Sequence, residues 1–318
     1  MNKHSIAVFG EALVDDFLSE QVVGGAPFNV ARHLAAFGLA PLTITRIGTD
    51  AIGAQIRAEF ERFGMLQAGL QIDPQAPSGR VVVERISGQH RFEILPEQAY
   101  DHIDATEALD AIARHAPAIV YFGTLAQRDT TSRGALHNIL RASHAQRYLD
   151  LNIRVGQVTE RCVYESLGEA DTVKVNEEEL ADLLGWYTPA RHSTADMRDP
   201  ALQGACKALM RSFRLQELIV TLGERGAVYF KVDGGVDGAV EHSPGAAAPA
   251  PLVDKLVDTV GAGDAFSAIY LLGRVCGWPV ATTLARANEF AAAICGIAGA
   301  VPDDTGFYDT YRARWLAD

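Results

Sequence analysis

Cysteine is scarce in this 318-residue chain: only Cys162, Cys206, Cys276 and Cys295 occur. They are widely spaced with no C-x-x-C pair, which argues against zinc or a disulfide framework and for buried thiols. Long apolar runs are missing too. The first, Ile6-Ala7-Val8-Phe9, follows Met1–Ser5 directly and is too short for a signal-peptide core. No stretch reaches the length of a membrane span. The expectation is a soluble, cytoplasmic chain with no membrane partner. Positive charge is also short: 28 Lys and Arg face 40 Asp and Glu, for a net charge of -12. Such a surface repels phosphate backbones, so no nucleic-acid partner is expected. A local nest of backbone N–H groups can still hold a phosphate against that field.

Several signatures are absent. Without G-x-x-x-x-G-K-[ST] the chain has no usual P-loop, and without G-x-G-x-x-G after the first strand it is no ordinary dinucleotide oxidoreductase. It also lacks the G-x-S-x-G of a hydrolase elbow. His33, His90 and His192 fall in no metal-ligand spacing and read as structural.

What is present suits one large α/β domain over residues 1–318: 48% of residues are hydrophobic and 29 are Gly. Strands are expected at Ile6–Phe9, Leu42–Ile47, Ala118–Phe122, Tyr148–Leu151, Thr172–Val175 and Leu218–Leu222. Helices are expected at Ala26–Phe37, Ala51–Phe63, Thr106–His115, Thr130–Ser143, Glu177–Leu184 and Ala201–Phe213. This alternation predicts a mostly parallel sheet with helices on both faces. Gly79–Ile86 and His90–Leu95, around Ser87-Gly88-Gln89, read as a hairpin that projects as a lid, a dimer edge or a surface excursion. Val232–Pro251, rich in Gly, Ala and Pro, reads as hairpin ends and loop. Gly263–Cys276 and Val280–Ala298 read as closing helices.

The chemically informative string is Asp258-Thr259-Val260-Gly261-Ala262-Gly263-Asp264-Ala265-Phe266. Its small residues let backbone approach an anion closely, and they open a helix whose N–H groups favour phosphate. Asp264 in the first turn is either a favourable helix-end charge or a base beside a phosphoryl group.

This string resembles the C-terminal signature of the PfkB (ribokinase-like) carbohydrate kinases. Gly10-Glu11-Ala12-Leu13-Val14-Asp15 resembles their first strand and sugar-contacting Asp. Gly24-Gly25-Ala26-Pro27-Phe28-Asn29-Val30-Ala31 resembles their N-terminal signature, closest to fructokinases. Ile47–Gly53, Phe122–Arg128, Asp150-Leu151-Asn152-Ile153-Arg154, Asn176-Glu177-Glu178-Glu179 and Val220–Gly226 follow in family order.

The resemblance implies a ribokinase-like three-layer α/β/α sandwich with a small β lid at about 79–95, and 16–23 as its candidate extension. It implies ATP-dependent phosphorylation of a monosaccharide, D-fructose first, with 2-keto-3-deoxygluconate, ribose or a nucleoside as alternatives. A non-catalytic sugar- or nucleotide-binding regulator is the rival of another class. Asp264 would be the base, and Gly261, Ala262 and Gly263 the anion hole. Asp15, Gly25 and Asn29 would hold sugar hydroxyls, with Arg128 and Arg154 as partners for substrate or phosphate. Thr221, Gly223 and Asn288 would line ATP; Asn176 and Glu179 would hold Mg²⁺ through water. Asp258, with backbone carbonyls near Gly299–Val301, would be a candidate K⁺ site.

On the residues alone, plainer readings stand beside these. Gly24-Gly25 fits an ordinary turn, Asn29 a surface helix position, Asn176 a helix cap. Asp15 and Asp16 fit solvated loop charges, and Arg154 an ordinary surface arginine. The chain also departs from the family. The stretch between Asp15 and Gly24 is short, which suggests a lid reduced to the hairpin and bears on whether the chain pairs through it as a homodimer. Glu93-Ile94-Leu95-Pro96-Glu97 holds no Arg where many fructokinases carry one, which puts fructose itself in doubt. Phe28 stands where a small residue is common.

Overall fold

The computed structural model describes residues 6–17, 20–86, 89–189, 192–232, 248, 251 and 256–316, with backbone alone at 84–86 and 89–91. Strand β1 (Ile6–Phe9) leads to two short strands, β2 (Leu13–Asp16) and β3 (Gln21–Gly24), and helix α1 (Ala26–Ala36). Then come β4 (Leu42–Gly48), α2 (Ala51–Arg62), β5 (Leu70–Asp73), β6 (Gly79–Ile86) and β7 (Gln89–Ile94). The alternation resumes with α3 (Ala105–His115), β8 (Ile119–Phe122), α4 (Thr130–Ala142), β9 (Gln146–Asp150), α5 (Glu160–Glu169) and β10 (Thr172–Asn176). The rest comprises α6 (Glu177–Tyr187), α7 (Pro200–Phe213), β11 (Glu217–Thr221), β12 (Ala227–Lys231), α8 (Ala262–Cys276), α9 (Val280–Ile294) and α10 (Asp309–Trp315).

Eight strands form the central sheet in the order β12-β11-β10-β9-β8-β1-β4-β5. All neighbours run parallel except β11 and β12. Side chains alternate across a strand, so each apolar run feeds two cores. Ala7 and Phe9 enter the core under α3 to α7, whereas Ile6 and Val8 enter the one under α1, α2, α8 and α9. These two cores make the three layers. No described helix is long and apolar enough to cross a membrane.

A second sheet, β3-β2-β6-β7, forms the lid. It is larger than the 79–95 hairpin, because β2 pairs parallel to β6 and antiparallel to β3. The sequence hides β2 and β3: each has four residues, and Asp15 and Asp16 interrupt the apolar pattern. Neither aspartate is a free loop charge. Asp16 is buried and accepts from Arg80 at 2.7 Å. Asp15 is half-buried opposite Val81, whose side chain packs into the main core.

The strand and helix expectations hold at eleven of twelve positions within two residues; the exception is α6, which runs on from Leu184 to Tyr187. Val280–Ala298 is four residues too long, because α9 ends at Ile294. The stretch at 233–247 and 249–250, and the turn residues Ser87 and Gly88, lie outside the described residues.

Candidate active site

Strands β1, β8, β9, β10 and β11 end on one edge of the sheet, where ligands of open α/β folds collect. Helix α8 begins there. Its N-cap, Gly261, has φ 77° and no side-chain cap. A Cβ at Gly261 would lie 2.3 Å from the Ala300 Cβ. Only glycine fits both the backbone angle and the space. No side chain caps the first turn of α8: the Ala262 N–H leans on the Thr259 carbonyl at 3.3 Å, and the Gly261 and Gly263 N–H groups beside it suit an anion.

Asp264 sits in that turn, 9% exposed. Its Oδ2 accepts a 2.7 Å hydrogen bond from Asn29 Nδ2 on α1. Burial pushes the Asp264 carboxyl up to about 6, while the Asn29 bond opposes the rise; Asp150 adds to it, and Lys174 and Arg154 resist it. A buried carboxylate near neutral pH that faces an anion-binding helix end is suited to accept a hydroxyl proton.

Two buried residues support this turn. Lys174 Nζ donates to Asp150 Oδ1 at 2.8 Å. Burial alone would lower the Lys174 ammonium, but Asp150 outweighs it and holds it above its usual range. Asp150 Oδ2 also accepts from Ser267 at 2.6 Å and from Tyr121 at 3.2 Å. Lys174 Nζ lies 3.4 Å from the place a Gly263 Cβ would take, so its charge sits directly beneath the glycine turn. Sequence reasoning gave neither residue a role. The available signal was a lysine inside the apolar run Thr172-Val173-Lys174-Val175, which demands a buried partner.

The sugar-side candidates divide. Gly25 caps α1 with φ 103°, and a Cβ there would come 2.6 Å from the Glu11 carbonyl oxygen. Burial pushes Asp15 up to about 6, opposed by Arg154. Arg154 is exposed and lines a cleft with Glu11, Pro27, Thr124 and Asn152. Arg128 is committed elsewhere. It forks onto Asp101 at 2.8 and 2.7 Å, donates to Gln157 and the Leu95 carbonyl, and lies over the Tyr100 ring. That geometry props the end of the lid rather than offering a free cation.

Glu11, just past β1, was also overlooked. Burial pushes it up to about 7, and its Oε2 is buried without a partner.

On the nucleotide side, Asn176 and Glu179 form a capping box on α6. Asn176 Oδ1 accepts from Glu179 N, and Glu179 Oε2 accepts from Asn176 N, both at 2.8 Å. Glu179 Oε1 accepts from Ile153 N at 2.7 Å. The plain cap reading is therefore realised. Each carboxylate oxygen keeps a second lone pair, which suits a cation held through water. Among the described residues no three His, Cys, Asp or Glu side chains converge as a direct metal cage. Thr221 pairs beside Asn176 across β10 and β11, and Gly223 follows with φ 59°. Asn288 is buried on α9 and donates to the Ala248 carbonyl at 2.6 Å. Asp258 accepts from Val260 N at 3.0 Å and Gly299 N at 3.4 Å, which ties the loop before α8 to the 299–301 segment.

The model of the pfkB family carbohydrate kinases matches residues 6–305. A fructokinase from Klebsiella pneumoniae is 30% identical over 284 residues, 84% of this chain and 83% of its own. The crystal structure of Xylella fastidiosa fructokinase with bound ATP superposes with a TM-score of 0.78 at 22% identity, covering all of both chains. Thermotoga maritima 2-dehydro-3-deoxygluconokinase superposes with a TM-score of 0.76 at 16% identity, over 98% of this chain and 99% of that one.

Proposed function

This chain belongs to the pfkB family of carbohydrate kinases, and on that premise we propose that it transfers the γ-phosphoryl group of ATP to a primary hydroxyl of a monosaccharide, D-fructose first. The observation that carries this reading is Asp264: a buried carboxylate in the first turn of an uncapped helix, held by Asn29 from α1. Asp264 takes the proton of the attacking hydroxyl. The N–H groups at Gly261, Ala262 and Gly263 receive the charge that develops on the phosphoryl oxygens. Lys174 beneath them adds fixed positive charge. There is little covalent chemistry for the protein to do, so holding the two substrates in line supplies most of the rate.

Mg²⁺ bound with ATP would supply neutralising charge to the phosphates. Asn176 and Glu179 would hold it through its water shell, because their own direct bonds go to each other and to Ile153. Thr221, Gly223 and Asn288 flank the nucleotide in this reading, and Asp258 with the 299–301 carbonyls would hold K⁺. Asp15, Gly25 and Asn29 face the sugar. The reading places the enzyme in the cytoplasm, with a homodimer as its assembly; equilibrium sedimentation tests the latter.

A second reading, 2-keto-3-deoxygluconate as acceptor, draws on Arg154. Its exposed guanidinium makes no hydrogen bond to the described residues and lies in the cleft with Glu11 and Thr124, where an acid group would meet it. Release of ADP from ATP and Mg²⁺ across a panel of fructose, ribose, nucleosides and 2-keto-3-deoxygluconate separates the two. Turnover with no member, alongside retained ATP binding, would overturn the kinase reading in favour of a binding protein.

A further inference from the structure

Asn29 reaches Asp264 through an amide that could point either way. Its orientation is set from behind. Arg32, one turn further along α1, donates from NH2 to Asn29 Oδ1 at 2.6 Å and to the Val23 carbonyl at 2.8 Å. Its NH1 donates to Glu59 Oε2 on α2 at 2.8 Å, and Arg62 shares that carboxylate at 2.9 Å. A guanidinium has donors only, so the amide oxygen must face Arg32 and the amide nitrogen is left for Asp264.

We infer that Arg32 is a positioning residue: anchored by Glu59 and Val23, it pins the Asn29 amide so that Nδ2 donates to Asp264. The inference rests on Asp264 being the base.

Burial supports this reading. Arg32 is 3% exposed, and its Nε is buried with no partner. Burial pulls the Arg32 guanidinium down and Glu59 resists. A buried charge is a poor source of stability compared with well-packed apolar side chains. What Arg32 supplies instead is direction. With the guanidinium removed, Asn29 rotates freely, and its oxygen can face the carboxylate as well as its nitrogen. Asp264 then loses a donor that favours its ionised form, and the proton is held more tightly.

The groups that face Asp264 come from every element around it: Asn29 on α1, Asp150 on β9, Lys174 on β10, Arg154 after β9, Glu11 after β1 and Tyr121 on β8. Tyr308 and Arg62 stand near Arg32 itself. Of the groups that face Asp264, Asn29 is the one hydrogen-bonded to Arg32, so a moved titration reports the Asn29 amide.

The test is kcat/KM against pH, from 5 to 9, for the parent, Arg32→Met, Arg32→Lys and Asp264→Asn, with the best sugar of the panel. Arg32→Met is expected to lose about tenfold at pH 6 and to return to within about threefold of the parent at pH 8.5, because the acidic limb moves up. Arg32→Lys, with one donor head instead of a fork, falls between. A loss equal at every pH, or none, overturns the inference, since a merely structural residue leaves the limb in place. Full activity in Asp264→Asn instead overturns the base reading. Should Arg32→Met fail to fold, Glu59→Gln frees the same anchor; it must move the limb in the same direction, and an unmoved limb overturns the inference.

Discussion

Replacing Gly261 by Ala strikes the proposed anion hole without touching a charge. The new Cβ would lie 2.3 Å from Ala300 Cβ and 2.5 Å from Ala300 Cα. Ordinary carbon contacts are about 3.5–4 Å, so one segment must give by more than about 1 Å. Ala300 cannot slip freely, since His33 Nε2 meets its carbonyl at 3.1 Å while His33 Nδ1 holds Tyr308 at 2.9 Å. Placing Ala at φ 77° costs about 1 kcal/mol, and overpacking adds about 1–3 kcal/mol. The sum, about 2–4 kcal/mol, lowers Tm by roughly 3–6 °C in a chain of this size. A displacement of about 1 Å at the phosphoryl site costs about 100-fold in kcat. Differential scanning calorimetry and steady-state kinetics with ATP and sugar read both effects. Gly134→Ala is the control: it lies inside α4 with nothing within 4 Å of its Cβ position, so the helix gains up to about 1 kcal/mol and the rate is unchanged. If Gly261→Ala melted and turned over like the parent, the cramped-nest argument would be refuted.

Glu11→Gln tests a buried carboxyl that burial raises from 4.5 to about 7. A raised folded value means a contribution fully present below pH 4.5 and lost as pH rises through about 7. Relative to Glu11→Gln the parent should therefore lose on the order of 3 kcal/mol between pH 4.5 and 8 in urea unfolding; parallel curves for the two proteins would contradict it. Lys174→Met strands Asp150, which is 2% exposed, without its cation. Denaturant titration should show about 3–5 kcal/mol of destabilisation, with part returned by Asp150→Asn in the same chain. An unchanged midpoint would mean that the pair carries no such weight.

The fold was legible where residues obey a single period. The β1 run Ile6–Phe9 and the helix Thr130–Ala142 announce themselves because burial selects their apolar spacing. The lid strands β2 and β3 did not, because Asp15 and Asp16 break the apolar pattern, Asp16 to pair with Arg80 on the neighbouring strand. The site was legible in part for the same reason. Gly261, Gly263 and Asp264 are fixed by local chain geometry, so a short string reveals them. Asp150 and Lys174 act through contacts between elements far apart in sequence, such as the 117 positions between Ser267 and Asp150. Arg128 illustrates the converse. Its place in a family-like segment suggested a substrate cation, and only the packing of Asp101 and Tyr100 shows that it is spent on the lid.

The account turns on Asp264 as the proton acceptor in sugar phosphorylation. Asp264→Asn keeps the size of the side chain and removes its basicity. Single-turnover transfer of labelled phosphate from ATP to the sugar, measured beside the binding of each substrate, tests it most directly. The account predicts a loss of about 10²–10⁴ in the transfer step with both substrates still bound. Transfer within about threefold of the parent would contradict it.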